Sequence, residues 1–234
     1  MERIGRITAI HRYPVKSMGG ERLAVAPLTL QGIALDRMYA FVQAGSKSEF
    51  PWLTGRQAPE MLFYSASVGP GKRPTVMVRT PEGAEFAADD PGLLAELEAL
   101  AKRPVHCLPN YRGSFDVAPV SLIASSTVDA IAKASNMAPD PQRFRMNFLI
   151  DTGAAAPFVE NSWVGRILRL GKTARIAVTE PDKRCVMITL AHPGGSASPA
   201  VLRAVAKANS AAAGVYATVL APGEVREGDE AWIE

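Results

Sequence analysis

The chain has 234 residues, 47% hydrophobic and 21% charged, a balance that supports a packed core and excludes a disordered chain. Its net charge of +3 is mild, and Lys and Arg do not cluster among aromatics, so no nucleic-acid partner is expected. Two cysteines, neither in a CxxC pair, exclude a disulfide scaffold and a cysteine-rich structural zinc site.

Taken in chain order, "MERIGRITAIHRYPVKS" is charged from its start and lacks an apolar stretch of about 7–15 residues, so no secretory leader is expected. No run of about 18 apolar residues occurs anywhere, so no membrane span is expected either. The expected location is cytoplasmic, where Cys107 and Cys185 stay reduced. Apolar Ile4, Ile7, Ala9, Tyr13 and Val15 predict a first strand closed by Pro14. "ERLAVAPLTLQGIALDRMYAFVQAG" predicts two strands around Gly32, with Asp36 and Arg37 inside a strand. A loop, "SKSEFPWLTGRQAPEM", follows. "LFYSASVG" and "RPTVMVRTPEGAEF" read as strands, with Pro81-Glu82-Gly83 as the hairpin turn. "DDPGLLAELEALAKR" is a helix with Leu93, Leu94, Leu97 and Leu100 on one face.

The texture changes across the Pro/Gly/Asn cluster at 104–113, the candidate boundary between 1–110 and 111–234. "SLIASSTVDAIAKASNM" reads as a strand continuing into a helix, capped by Ser126 or Thr127, with Val128, Ile131 and Ala132 at helical spacing. "RFRMNFLIDT" reads as a strand, and "ILRLGKTARIAVTE" as a hairpin. "SPAVLRAVAKANSAAAG" is an Ala-rich helix ended by Gly214. Two short strands close the chain. The class is therefore mixed α/β and β-rich, with the first hundred residues an antiparallel barrel or sandwich.

Several residues could carry chemistry. Cys185 stands in "EPDKRCVMITLAHPGG" beside Lys183 and Arg184, with His192 downstream. Free cysteines are often buried strand residues, but neighbouring cations favour the thiolate, which attacks electrophiles and binds soft metals. One thiolate is too few for zinc, yet it suffices if a cofactor brings the other ligands. Lys16 and Ser17 precede a Gly-Gly pair, which reads either as an anion cradle or as a turn with a solvated lysine. Asp36 and Arg37 pair with each other or with a ligand. Arg56 lies in the long loop, either as a binding residue or simply exposed. Arg143, Arg145 and Asn147 alternate along one expected strand face, which fits a half-solvated strand or a fork for phosphate or a pterin-like ring. The histidines have no metal-binding spacing, and neither a nucleophile elbow nor a dinucleotide-binding glycine turn is present.

The segments "YPVKSMGGE", "GIALDRMYAFV", "TGRQAPEM", "FDVAPVSLIASSTV", "RFRMNFLID", "NSWVGRILRLG", "KRCVMIT" and "VYATVLAPGEVREGD" together resemble the MOSC family, named for the molybdenum cofactor sulfurase C-terminal domain. They occur in the family's order and span nearly the whole chain. The resemblance implies an N-terminal MOSC β-barrel domain over 1–110 and a MOSC β-barrel domain with peripheral helices over 111–234, with the first strands able to pack into the latter. It implies a pterin-based molybdenum cofactor with Cys185 as the protein's ligand to the metal. Lys16, Ser17, Arg37 and Arg145 match positions that hold the phosphate and pterin, with Arg56, Asn147 and Arg184 as further candidates. The implied activity is reduction of N-hydroxylated compounds by oxygen-atom transfer. Two cysteines leave no room for an internal ferredoxin domain, so a separate donor is expected: a ferredoxin-like protein, a flavoprotein or a cytochrome b5-like protein. A sulfur carrier with a Cys185 persulfide, and a non-catalytic binder of an anion such as pyridoxal phosphate, remain alternatives. Relatives carry an acidic residue downstream of the cysteine where this chain has Ala191 and His192.

Overall fold

A computed structural model describes residues 1–71 and 74–234; Arg73, at the head of the expected "RPTVMVRT" strand, lies outside the described residues. The first half holds β1 (Glu2–Arg12), β2 (Glu21–Arg22), β3 (Val25–Thr29), β4 (Gly32–Ile33), β5 (Tyr39–Gln43), β6 (Ser65–Val68), β7 (Val76–Arg79), β8 (Glu85–Ala87), α1 (Pro91–Ala101) and β9 (Val105–Pro109). The second half holds β10 (Val120–Ala124), α2 (Ser125–Ser135), β11 (Phe148–Asp151), β12 (Ile167–Leu170), β13 (Ala174–Lys183), α3 (Pro199–Asn209), β14 (Ala212–Ala221), β15 (Gly223–Arg226) and β16 (Glu230–Ile233). Among the described residues no helix is long and apolar enough to cross a membrane.

Seven strands close a barrel in the order β11-β10-β14-β13-β12-β16-β1, sealed because β1 also pairs with β11. Only β10 and β11 run parallel within it, and α2 lies in the connection between them. The register of β1 against β11 shifts between Ile7 and Ala9. That bulge breaks the period of two and lets consecutive Ala9 and Ile10 both be buried. Ile7, Ile10, Leu122, Phe148, Leu168, Ile176 and Val215 fill the barrel.

A second core, of Val15, Met18, Phe41, Leu53, Met61, Val78, Leu93 and Leu97, lies under α1, the β5–β9 pair and the β6–β7–β8 meander. Asp90 caps α1, its carboxylate accepting from Gly92 N–H at 2.7 Å, and Pro91 occupies the first turn. Val128, Ile131 and Ala132 are buried as their spacing predicts, and α2 packs with α3 through Val201 and Val205.

Four expectations are corrected. "RFRMNFLIDT" is not one strand: Pro141–Phe144 is a 3-10 turn, Arg145 is left-handed at φ 55°, and β11 begins only at Phe148. Asp36 and Arg37 lie in a turn between β4 and β5, with Arg37 at φ 49°. Helix α2 starts directly from β10, and Ala124 stands at its N-cap without a side-chain cap. Thr127 instead donates to Glu160, while Ser126 bonds to Thr152 and Ala156. Helix α3 ends at left-handed Ser210, while Gly214 lies inside β14.

Candidate functional site

All eight sequence-nominated residues, Lys16, Ser17, Arg37, Arg56, Arg145, Asn147, Arg184 and Cys185, line one cleft of about 270 Å³. Lys16, Ser17, Arg37 and Arg56 reach it from the first hundred residues. Arg145, Asn147, Arg184 and Cys185 reach it from the barrel side.

Cys185 follows the end of β13 and precedes a 3-10 turn at Val186–Thr189. The cation in contact with its thiol is not a sequence neighbour. Lys183 turns away to donate to the Ser210 carbonyl, and Arg184 donates to Asp182 and, at 2.7 Å, to the Phe144 carbonyl. The guanidinium facing the thiol is Arg56, 3.9 Å from Sγ. The turn that presents it is held by Thr54 Oγ1 donating to Gln57 Oε1 at 2.8 Å, and its guanidinium stacks 4.9 Å from the Phe50 ring. His192 does not enter this cleft.

Lys16 is buried, and its ammonium donates to the Ser114 carbonyl at 2.7 Å and to Asp116 at 2.5 Å. Burial lowers its pKa, and Asp116 opposes this without cancelling it. The Asp116 carboxyl is pushed up by burial, but the Lys16 charge wins and holds it below the usual range. Phe50 and Trp52 stand 5.5 Å and 5.7 Å from the ammonium. The glycines after Ser17 do not free a backbone nest, because Gly19 N–H donates to the Tyr64 carbonyl. Gly20 is needed for close approach: a Cβ there would stand 2.6 Å from the Tyr13 ring.

Asp36 organises the cleft's rear wall. Its carboxylate accepts from Tyr13 N–H at 2.7 Å, Arg37 at 2.5 Å and Asn147 Nδ2 at 2.9 Å. The Asp36 charge holds the Arg37 guanidinium protonated against its burial. Arg37 also donates to the Arg145 carbonyl at 2.8 Å. Asn147 spends its amide within the fold, donating also to the His11 carbonyl and accepting from Ser121. Arg143 is corrected out of the expected row: its guanidinium donates to the carbonyls of Ile188, Leu190 and Ser196.

Arg145 differs. Its guanidinium lies 4.5 Å from the Tyr13 ring and, among the described residues, its side chain donates no hydrogen bond. Burial lowers its pKa to about 10, with Arg37 adding to the effect. Arg184 Nε, by contrast, is fully buried without a partner. Two unsatisfied cationic donors on one cleft wall are groups that a bound anion would complete. Sequence reasoning missed Tyr216, Phe50 and Met187, which also line the cleft. Tyr216 stands near Asp182, a carboxyl that burial raises to about 6 despite Arg184 beside it.

A β-rich barrel whose cleft brings one cysteine together with several lysine and arginine side chains defines the class. Residues 4–103 match the MOSC N-terminal beta barrel domain and residues 110–232 match the MOSC domain, so the chain belongs to the MOSC family, which is associated with molybdenum-cofactor binding. The YuaD protein of Bacillus subtilis is similar in fold, with a TM-score of 0.51 at 11% identity over 97% of this chain and 93% of that one. YiiM of Geobacillus stearothermophilus aligns over 50% of this chain and 54% of its own, at 17% identity and a TM-score of 0.39. No curated protein matches the sequence.

Proposed function

We propose that the protein is a molybdenum-cofactor-dependent reductase of N-oxygenated, chiefly N-hydroxylated, small molecules. The observation that carries this reading is the convergence of Cys185 with Lys16, Ser17, Arg37 and Arg145 on one cleft. The residues fit the group: one soft sulfur ligand, the unpartnered Arg184 Nε and the Arg145 guanidinium meet a cofactor that brings its own sulfur ligands and a phosphate. Among the described residues no three His, Cys, Asp or Glu side chains gather as a metal-ligand set, so further ligands must come with the cofactor. When bound, the cofactor supplies two-electron oxygen-atom transfer at molybdenum, between its +4 and +6 states.

The chain's own residues ligate and orient. Cys185 Sγ is the protein ligand, and the Arg56 guanidinium faces it from 3.9 Å. Lys16, Ser17 and Arg145 hold the phosphate and pterin, while Asp36 and Asn147 fix Arg37 behind them. Asp182, with its carboxyl raised to about 6, is mostly ionised at neutral pH and pairs with Arg184 on the cleft wall. Electrons come from a separate donor protein, and the setting is cytoplasmic.

Metal analysis of protein made in a cofactor-competent host tests the reading. The wild type is expected to carry molybdenum and Cys185→Ser to lose most of it. Molybdenum absent from the wild type, or full loading of the variant, would contradict it. The Arg56–Cys185 pair also supports a second reading, a persulfide carrier. A labile extra sulfur on Cys185, seen by mass spectrometry of protein lacking molybdenum, would favour that reading instead.

A further inference from the structure

A second space lies beside the cleft. His192 and Pro193 line a second cavity of about 200 Å³, together with Tyr13, Leu62, Tyr64 and Ser65. The charged groups around it are mostly committed elsewhere. Arg22 pairs with Glu227 at 2.7 Å, Arg143 is bound to three carbonyls, and His192 pairs with Asp140 at 2.8 Å. The rest of the lining combines apolar Tyr13, Leu62, Tyr64, Met187 and Pro193 with the polar side chains of His11, Ser65 and Gln142.

Arg145 and Met187 line both cavities. Met187 lies two residues beyond Cys185, and a Cβ on Gly55 would stand 3.0 Å from its Cε, so it packs against the turn that carries Arg56. A methionine is adaptable enough to fill or vacate such a wall. Arg145 is the wall's cation without a protein partner among the described residues. A ligand in the second cavity would place its body among the rings, with Arg145 and Met187 as the border shared with the cofactor's cleft.

We propose that the second cavity receives the apolar, ring-bearing body of the substrate, and that His192 and Pro193 form its specificity wall. This rests on the reductase reading above. The volume of about 200 Å³ is below the span of about 300–1,000 Å³ typical of drug-sized ligands, so the body is a single ring rather than a fused polycycle.

Saturation-transfer NMR with benzamide and with ring-less acetamide, on the cofactor-loaded protein, tests this. The wild type is expected to saturate the benzamide ring protons and not acetamide. Ser65→Phe places a bulky side chain from an exposed strand position into the cavity, and is expected to weaken benzamide about tenfold. His192→Ala removes wall without adding bulk and is expected to change the affinity by about fivefold, so the proposal stays testable if Ser65→Phe does not fold. Both variants are expected to retain wild-type molybdenum content. Benzamide affinity unchanged in both variants, or acetamide saturated equally, would overturn the ring site. Molybdenum missing from the wild type while benzamide still binds would overturn the reductase reading and not the ring site.

Discussion

Asp36 and Arg145 stand on the same wall and do opposite things. Asp36 is 3% exposed and accepts from one backbone and two side-chain donors, so it holds the fold together. Removing one partner of a buried ion pair leaves the other charge uncompensated, at a cost of about 3–5 kcal/mol. Asp36→Ala is therefore expected to lower the unfolding free energy by about that amount in a urea titration. Arg145 has no such partner among the described residues, and its burial already opposes its charge. Arg145→Met is expected to leave the metal-free protein as stable as the wild type, or more so, while lowering its molybdenum content. A loss of stability matching that of Asp36→Ala would show that Arg145 is structural. At this scale the sequence was partly legible. Lys16, Ser17, Arg37 and Cys185 stand in local motifs whose residue types announce their chemistry. Tyr216 does not: it sits in an Ala-rich strand, and the pairing of β13 with β14 sets it opposite Glu180 at the cleft.

Elements built on period and caps were legible, as in α1 with Asp90 and Pro91, and in the β12–β13 hairpin. Those that bend against their own pattern were not. Arg143, Phe144, Arg145 and Met146 alternate like a strand, yet Pro141 starts a 3-10 turn and Arg145 takes a left-handed conformation. The alternation is real in chemistry and absent in geometry, and it sends Arg143 into carbonyls and Arg145 toward the cleft. Gly214 shows the same limit. It resembles a helix stop, but it lies in β14 at φ 83°, where an added Cβ would stand 2.7 Å from the Leu122 carbonyl and strike the Met146 side chain. Its N–H donates to Glu160 at 3.2 Å. Gly214→Ala combines left-handed strain with that clash, and is expected to cost about 2–3 kcal/mol by chemical denaturation. A cost below about 1 kcal/mol would mean that the strand relaxes around the substitution.

For the whole molecule, the barrel is closed by the chain's first strand, since β1 pairs with both β11 and β16. Periodicity locates a strand but carries no information about partners more than a hundred residues away, so this closure was open to a family resemblance and closed to residue-level reading. The closure has a functional consequence. It carries Tyr13, Lys16 and Ser17, just past the end of β1, to the Cys185 side of the barrel. The cleft thus draws Lys16 and Ser17 from one end of the sequence and Cys185 from far downstream. X-ray absorption at the molybdenum edge tests this arrangement most directly, comparing wild type with whatever loaded fraction of Cys185→Ser survives. The account predicts one sulfur fewer around the metal in the variant; an unchanged sulfur shell would contradict it.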